Sequence, residues 1–124
     1  MATTRPYPQW WHRRARERRL ALDATVAAVC AACALDAGIV RVLAFGSYAR
    51  QEVAPTSDLD LIVIAESSLP QGERTAQFYM RLPPGVPIDA IVYTPEEFER
   101  LRATRSFVAQ AVAEGRWIYA RASA

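Results

Sequence analysis

Residues 59–65 read Leu-Asp-Leu-Ile-Val-Ile-Ala, apolar at every position but one and rich in β-branched side chains. A strand with one wet face would alternate polar and apolar residues, so a nearly continuous run predicts a β-strand buried on both faces. Residues 39–45 form a second run of this kind, stopped at Gly46, and residues 87–93 a third, entered through the turn Pro83-Pro84-Gly85. Strands buried on two faces need helices on both sides, which makes this a layered α/β chain.

The helices are legible between the strands. Residues 9–37 contain neither Pro nor Gly. Leu20, Val26, Val29, Cys30, Cys33 and Ala34 recur there at near-helical spacing, which predicts one long N-terminal helix closed by Gly38 as its C-cap. A short helix is expected over residues 73–82 with Phe78, Tyr79 and Leu82 as its apolar stripe. Thr94-Pro95-Glu96-Glu97 has the chemistry of a helix start: Thr caps, Pro suits the first turn, and Glu97 closes a capping box. That helix should run to about Arg102. Another should cover residues 106–114 with Phe107, Val108, Ala111 and Val112 inward, ending at Gly115 before the apolar tail Trp117-Ile118-Tyr119. The expected fold is α/β: a small mixed sheet of three to four strands flanked by helices, one of them a long N-terminal helix. The expected organisation is one domain over residues 1–124, with an Arg-rich N-terminal helix over 1–37 and a core over 38–120.

Bulk properties exclude several classes. A chain of 124 residues has room for one core but not for a catalytic half plus a separate acceptor-binding half, so any acceptor is expected to come from elsewhere. A composition 52% hydrophobic and 23% charged fits neither a disordered nor a fibrous chain. The formal charge of +2 is too small to favour nucleic acid as partner. Residues 20–35 are apolar, but Asp23 and Asp36 interrupt them short of the ~20 residues a membrane span needs, so no membrane association and a cytoplasmic location are expected. Cys30 and Cys33, with His12 as the only histidine, read as small core residues rather than metal ligands. Arg13, Arg14, Arg16, Arg18 and Arg19 lie beside Trp10 and Trp11. A solvated helix face and a partner surface both fit that cluster.

The segment with chemistry in it runs Phe45-Gly46-Ser47-Tyr48-Ala49-Arg50-Gln51-Glu52, then a Pro55 turn, then Ser57-Asp58-Leu59-Asp60-Leu61. Side chains two apart on a strand share a face, so Asp58 and Asp60 should stand together at the strand's beginning. Two adjacent carboxylates there repel, and a divalent cation with hard oxygen ligands, Mg²⁺ or Mn²⁺, relieves the cost. The plain alternative has Asp58 capping a turn and Asp60 facing water. Gly46 directly after a strand permits a sharp turn and close ligand approach, while Ser47 offers a hydroxyl and a backbone N–H. If a helix begins from Tyr48 onward, those donors cradle an anion. Arg50 either adds charge near such an anion or makes an outward ion pair. Asp89, in an apolar run, joins the metal cluster if its strand neighbours that of Asp60, and otherwise faces solvent on an edge strand.

Gly46-Ser47, ten intervening residues, then Asp58-Leu59-Asp60 resembles the signature of the nucleotidyltransferase superfamily typified by DNA polymerase β. Residues 43–50 and 57–63 are similar to its small stand-alone members, the minimal nucleotidyltransferases, and the likeness continues through Asp89, residues 93–98 and residues 115–119. The resemblance implies a polymerase β-like nucleotidyltransferase fold with triphosphate at Gly46 and Ser47, and two Mg²⁺ or Mn²⁺ ions at Asp58 and Asp60. Asp89 is then the third carboxylate, which positions the acceptor hydroxyl. It implies metal-dependent transfer of a nucleoside monophosphate, AMP from ATP, to a hydroxyl acceptor. Small members of the family pair as antitoxins with a HEPN-type toxin, which makes such a toxin the implied partner and acceptor. A different class of reading is an antitoxin-like binding module that neutralises its partner by contact; a third is nucleotidylation of a small molecule. The chain departs from the family pattern at Gln51, where these proteins carry Gly.

Overall fold

The computed structural model describes residues 6–122; residues 1–5, which the Arg-rich segment includes, and 123–124 lie outside it. Helix α1 (Gln9–Ala34) leads into strand β1 (Ile39–Phe45), and the four-residue helix α2 (Gly46–Ala49) precedes β2 (Leu59–Ala65). Helix α3 (Gln71–Met80) connects to β3 (Ile88–Tyr93), followed by α4 (Pro95–Thr104), α5 (Ser106–Glu114) and β4 (Arg116–Ala120). The sheet order is β3-β2-β1-β4, with β2 parallel to β3 and the other two pairs antiparallel. This is the expected α/β layering with a mixed sheet, and the apolar tail supplies its fourth strand.

The period of two along β2 divides the core. Leu59, Leu61 and Val63 pack with Leu22, Val29 and Cys33 of α1 and Phe78 of α3. Ile62 and Ile64 face the other way, onto Phe98 of α4 and Val108 and Ala111 of α5. Asp60 shares the parity of Ile62, so it lies on the α4/α5 face, beyond the reach of that smaller cluster. Phe98 is fully buried, and truncating such a ring to Ala costs about 3–5 kcal/mol.

Thr94 and Glu97 form the expected capping box: the Glu97 N–H donates to the Thr94 hydroxyl at 3.2 Å and the Thr94 N–H to the Glu97 carboxylate at 2.8 Å. The same carboxylate receives the buried Arg74 guanidinium through two bonds of 2.6 and 3.0 Å, which ties α3 to α4 across the end of β3. Burying Arg74 is tolerable because its remaining donors reach the Leu69 and Val92 carbonyls.

Four local expectations are corrected. Helix α1 stops at Ala34, with Leu35 as its cap, and Gly38 instead donates its N–H to the Asp36 side chain at 3.0 Å. The aspartate turn takes over the closing role that a left-handed glycine would have had. The inward stripe of α1 is Leu22, Thr25, Val29 and Cys33, while Leu20 is 69% exposed and Ala34 lies on the surface. Leu20 sits two residues from Leu22, about 200° around the helix. Phe107 is 56% exposed because α5 buries Val108 and Ala111 instead. Tyr79 lies outside the buried stripe of α3, its hydroxyl accepting the Ala90 N–H at 2.8 Å. No described helix is long and apolar enough to cross a membrane.

Candidate active site

Sheet register builds the site. In the parallel β2/β3 pair, Asp60 is the direct partner of Asp89, and in the antiparallel β1/β2 pair it is the partner of Phe45. Asp60 therefore stands between Asp89 on one side and the end of β1 on the other. The chain leaves β1 through Gly46, whose φ of 72° falls in the left-handed region. A Cβ at Gly46 would collide with the Asp60 carboxylate. Both conformation and space thus demand glycine, and the loop backbone lies directly against the acid.

Beyond Gly46 the loop is tied to the start of β2. Ser47 Oγ donates to Ser57 Oγ at 3.1 Å, and the Ala54 N–H donates to that same Ser57 hydroxyl at 2.9 Å. Helix α2 begins at Gly46, two residues earlier than the sequence reading placed it, so the Ser47 N–H falls in its first turn. Gln51 closes the turn with φ 61°, and its N–H donates to the Tyr48 carbonyl at 3.1 Å. The family glycine at this position thus has a conformational reason, and Gln51 adopts the glycine-like backbone without it. Tyr48 is buried and its hydroxyl donates to Asp23, pinning α2 against α1.

Charge is concentrated at Asp60. Burial pushes its carboxyl above the ordinary value, the Asp89 and Asp58 carboxylates push the same way, and Arg50 pulls it back. Arg50 takes up the outward pairing that was one of its two readings, with Glu52 at 3.1 Å and Glu114 at 3.6 Å. Asp89 is exposed on edge strand β3, and its strand is the neighbour of Asp60's.

Asp58 lies one residue ahead of β2 and is half exposed. Arg18 of α1 clamps it: Nη2 donates to Asp58 Oδ1 at 3.0 Å and Nε to the Ser57 carbonyl at 2.6 Å. Among the described residues no three His, Cys, Asp or Glu side chains converge as a ready metal-holding group. Asp60 and Asp89 stand together, whereas Asp58 leans on Arg18. Residue-type reasoning passed over Arg18 as one of five clustered arginines. Its signal was position, since it lies four residues before Leu22 and so extends the stripe Leu22, Thr25, Val29, Cys33 by one turn.

No curated protein is significantly similar in sequence. A crystal structure of a proposed nucleotidyltransferase from Sulfolobus solfataricus superposes with a TM-score of 0.62 at 19% identity, over 87% of this chain and 88% of that one. A toxin–antitoxin crystal structure with AMP-PNP gives a TM-score of 0.44 at 19% identity, over 68% of this chain and 63% of that one. A complex of tri-AMPylated Shewanella oneidensis HEPN toxin with its MNT antitoxin gives 0.42 at 16% identity, over 84% and 73%. The nucleotidyltransferase domain profile matches residues 30–120, from the second half of α1 to the end of β4 and across every acidic residue of the site, and the chain belongs to that family.

Proposed function

We propose that this nucleotidyltransferase moves a nucleoside monophosphate, AMP from ATP, to a hydroxyl on a partner protein, with Asp58, Asp60 and Asp89 as its catalytic carboxylates. The observation that carries this reading is the register of Asp60 with Asp89, with the Gly46 backbone seated against Asp60. Repelling carboxylates with only oxygen donors suit Mg²⁺ or Mn²⁺, and the Gly46 backbone against Asp60 brings the loop's N–H groups close to the acid that would hold such an ion. Two bound ions would supply charge to polarise the α-phosphate and stabilise departing pyrophosphate. Asp58 and Asp60 would hold them, with Asp89 sharing the ion nearest the acceptor. Arg18 holds Asp58 through Oδ1, so an ion held by Asp58 would meet the guanidinium charge beside it.

The chain's own groups do the rest. The Gly46 and Ser47 N–H groups and the Ser47 hydroxyl hold the outer phosphates, and Arg50 adds positive charge from the same loop. Asp89 orients the acceptor hydroxyl and takes its proton as the new oxygen–phosphorus bond forms and the bond to pyrophosphate breaks. The proposed acceptor is a HEPN-type toxin in the cytoplasm. The likeness of residues 43–50 and 57–63 to minimal nucleotidyltransferases supports it, and the exposed Trp10 beside Arg14 offers an aromatic and cationic contact surface.

The test incubates the protein with each α-labelled nucleoside triphosphate and Mg²⁺, with and without the protein encoded next to it, comparing wild type with Asp58→Ala/Asp60→Ala. Label on the partner that needs the aspartates supports transfer and identifies the base. A stable complex that neutralises the partner without label, unaffected by the substitution, sinks the catalytic reading in favour of neutralisation by contact.

A further inference from the structure

A shallow hollow of about 220 Å³ opens between the first half of α1 and the chain that follows α2. Trp11, His12, Arg16 and Arg19 line its helix side, and Gln51 and Val53 the other. This half of α1 lies ahead of residues 30–120, which the family profile matches, so the nucleotidyltransferase core assigns it no role.

Charge sets this surface apart. Residues 13–19 hold five Arg against one Glu, a net +4, in a chain whose total is +2, so the remainder carries −2. Arg18 holds Asp58, but Arg13, Arg14, Arg16 and Arg19 have no carboxylate partner among the described residues. Arg13, Arg16 and Arg19 follow one another at three-residue steps, so their like charges are neighbours along one side of the helix. Folding gathers that charge without offsetting it, and an anionic partner would relieve the repulsion. The hollow of about 130 Å³ around Asp36, Glu66, Arg74 and Arg81 is the contrast. There Arg74 pairs with Glu97, Arg81 with Asp36 and Glu66 with Arg121, so its charges are neutralised from within.

The aromatic side chains narrow the kind of anion. Trp11 is stacked on Tyr7, with centroids 3.9 Å apart and planes at 10°, and the Arg14 guanidinium lies over the Trp10 ring at 5.8 Å. Each indole thus has a ring face already taken. Single-stranded nucleic acid needs aromatic faces for successive bases, whereas carboxylates need only the guanidinium forks, and Trp beside Arg suits a protein interface. The position narrows the role. Arg19 adjoins Arg18, which holds Asp58, and its guanidinium lies over the ring of Tyr48, the neighbour of Ser47. A protein seated in the hollow therefore borders the candidate active site.

We infer that the first half of α1 is the docking surface for the acceptor protein, which presents an acidic segment to Arg16 and Arg19 beside Trp11. The inference rests on the function proposed above, since it takes the acceptor to be a protein.

The test measures, by calorimetry, the affinity of the full chain for the protein encoded next to it, beside binding of inorganic tripolyphosphate with Mn²⁺. Arg16→Glu should weaken the complex about tenfold, because an attractive pair becomes a like-charge contact, and leave tripolyphosphate within about twofold. Arg16 is exposed and bonds no carboxylate among the described residues, so its reversal reads charge at the surface rather than folding. Arg16→Lys, which keeps the charge, should hold the affinity within about threefold of wild type. An unchanged complex in Arg16→Glu, or a loss that tripolyphosphate shares equally, overturns the docking surface. The proposed transfer stands in that case, provided label still reaches the partner. An oligouridylate that binds wild type and displaces the partner assigns the face to nucleic acid and overturns the proposal as well. If wild type forms no complex, the docking surface and the protein acceptor fall together, while tripolyphosphate binding that requires Asp60 keeps the nucleotide site.

Discussion

Replacing Gln51 with glycine should make the protein more stable without changing what its loop can do. Gln51 holds φ at 61°, a conformation that costs an ordinary L-residue roughly 1–2 kcal/mol because its Cβ crowds the neighbouring carbonyl. Glycine escapes that cost but loses about 0.5–1 kcal/mol through its greater freedom in the unfolded chain. The side chain is exposed and makes no hydrogen bond among the described residues, so nothing else is lost. The net gain is about 0.5–1 kcal/mol, equivalent to roughly 2–5 °C in melting temperature for a domain of this size. Urea unfolding followed by circular dichroism reads it directly: the midpoint should rise with the slope unchanged. Gln51→Val should move the other way by at least as much, since a β-branched residue tolerates positive φ poorly. The loop already adopts the glycine-like turn, so Gln51→Gly should leave nucleotide affinity within twofold. A lower midpoint for Gln51→Gly refutes the strain argument; a large gain in affinity shows that glutamine distorts the loop.

Three further outcomes follow from the same contacts. Asp60→Asn should raise the melting temperature in metal-free buffer at pH 7, because folding buries the Asp60 charge and gathers it against Asp89 and Asp58, and it should abolish any rise on adding Mn²⁺. A fall in metal-free stability counts against the crowding of charge. Glu97 is held down to about 2 from its ordinary 4.5, first by the Arg74 bonds. Its contribution is therefore complete above pH 4.5 and lost as pH falls from 4.5 towards 2, amounting to about 2–3 kcal/mol after allowance for its partial exposure. Glu97→Gln should flatten that part of the stability–pH curve, and an unchanged slope refutes the assignment. Arg18→Met should cost about 1 kcal/mol, mostly the charged bond to the Ser57 carbonyl. It should also speed amide exchange around residues 57–59, and unchanged exchange means Arg18 does not hold the start of β2.

The strands were legible because two-sided burial leaves a near-continuous apolar run, and the start of α4 because Thr94, Pro95 and Glu97 carry their capping chemistry locally. Gly46 was legible for the same reason: its constraint is backbone shape beside a strand end. What sequence could not fix was pairing. Asp89 beside Asp60 depends on β3 lying parallel to β2, a long-range choice that 22 residues of intervening chain do not state. Arg18 escaped because residue type does not separate one clamp from five arginines, and its position one turn before Leu22 becomes a signal only once the buried stripe of α1 is known; Phe107 was misplaced because helical spacing ranks apolar residues without saying which of them the helix buries.

The central claim is that Asp58, Asp60 and Asp89 hold divalent metal against a triphosphate at Gly46 and Ser47. Crystals grown with Mn²⁺ and a non-hydrolysable nucleoside triphosphate, measured at the manganese edge, address it most directly. The account predicts anomalous density within coordination distance of Asp60, shared with Asp58 and Asp89, and phosphates on the Gly46 and Ser47 N–H groups. Nucleotide bound elsewhere, or manganese at this loop with Asp58 still paired to Arg18 and Asp60 uncoordinated, contradicts it.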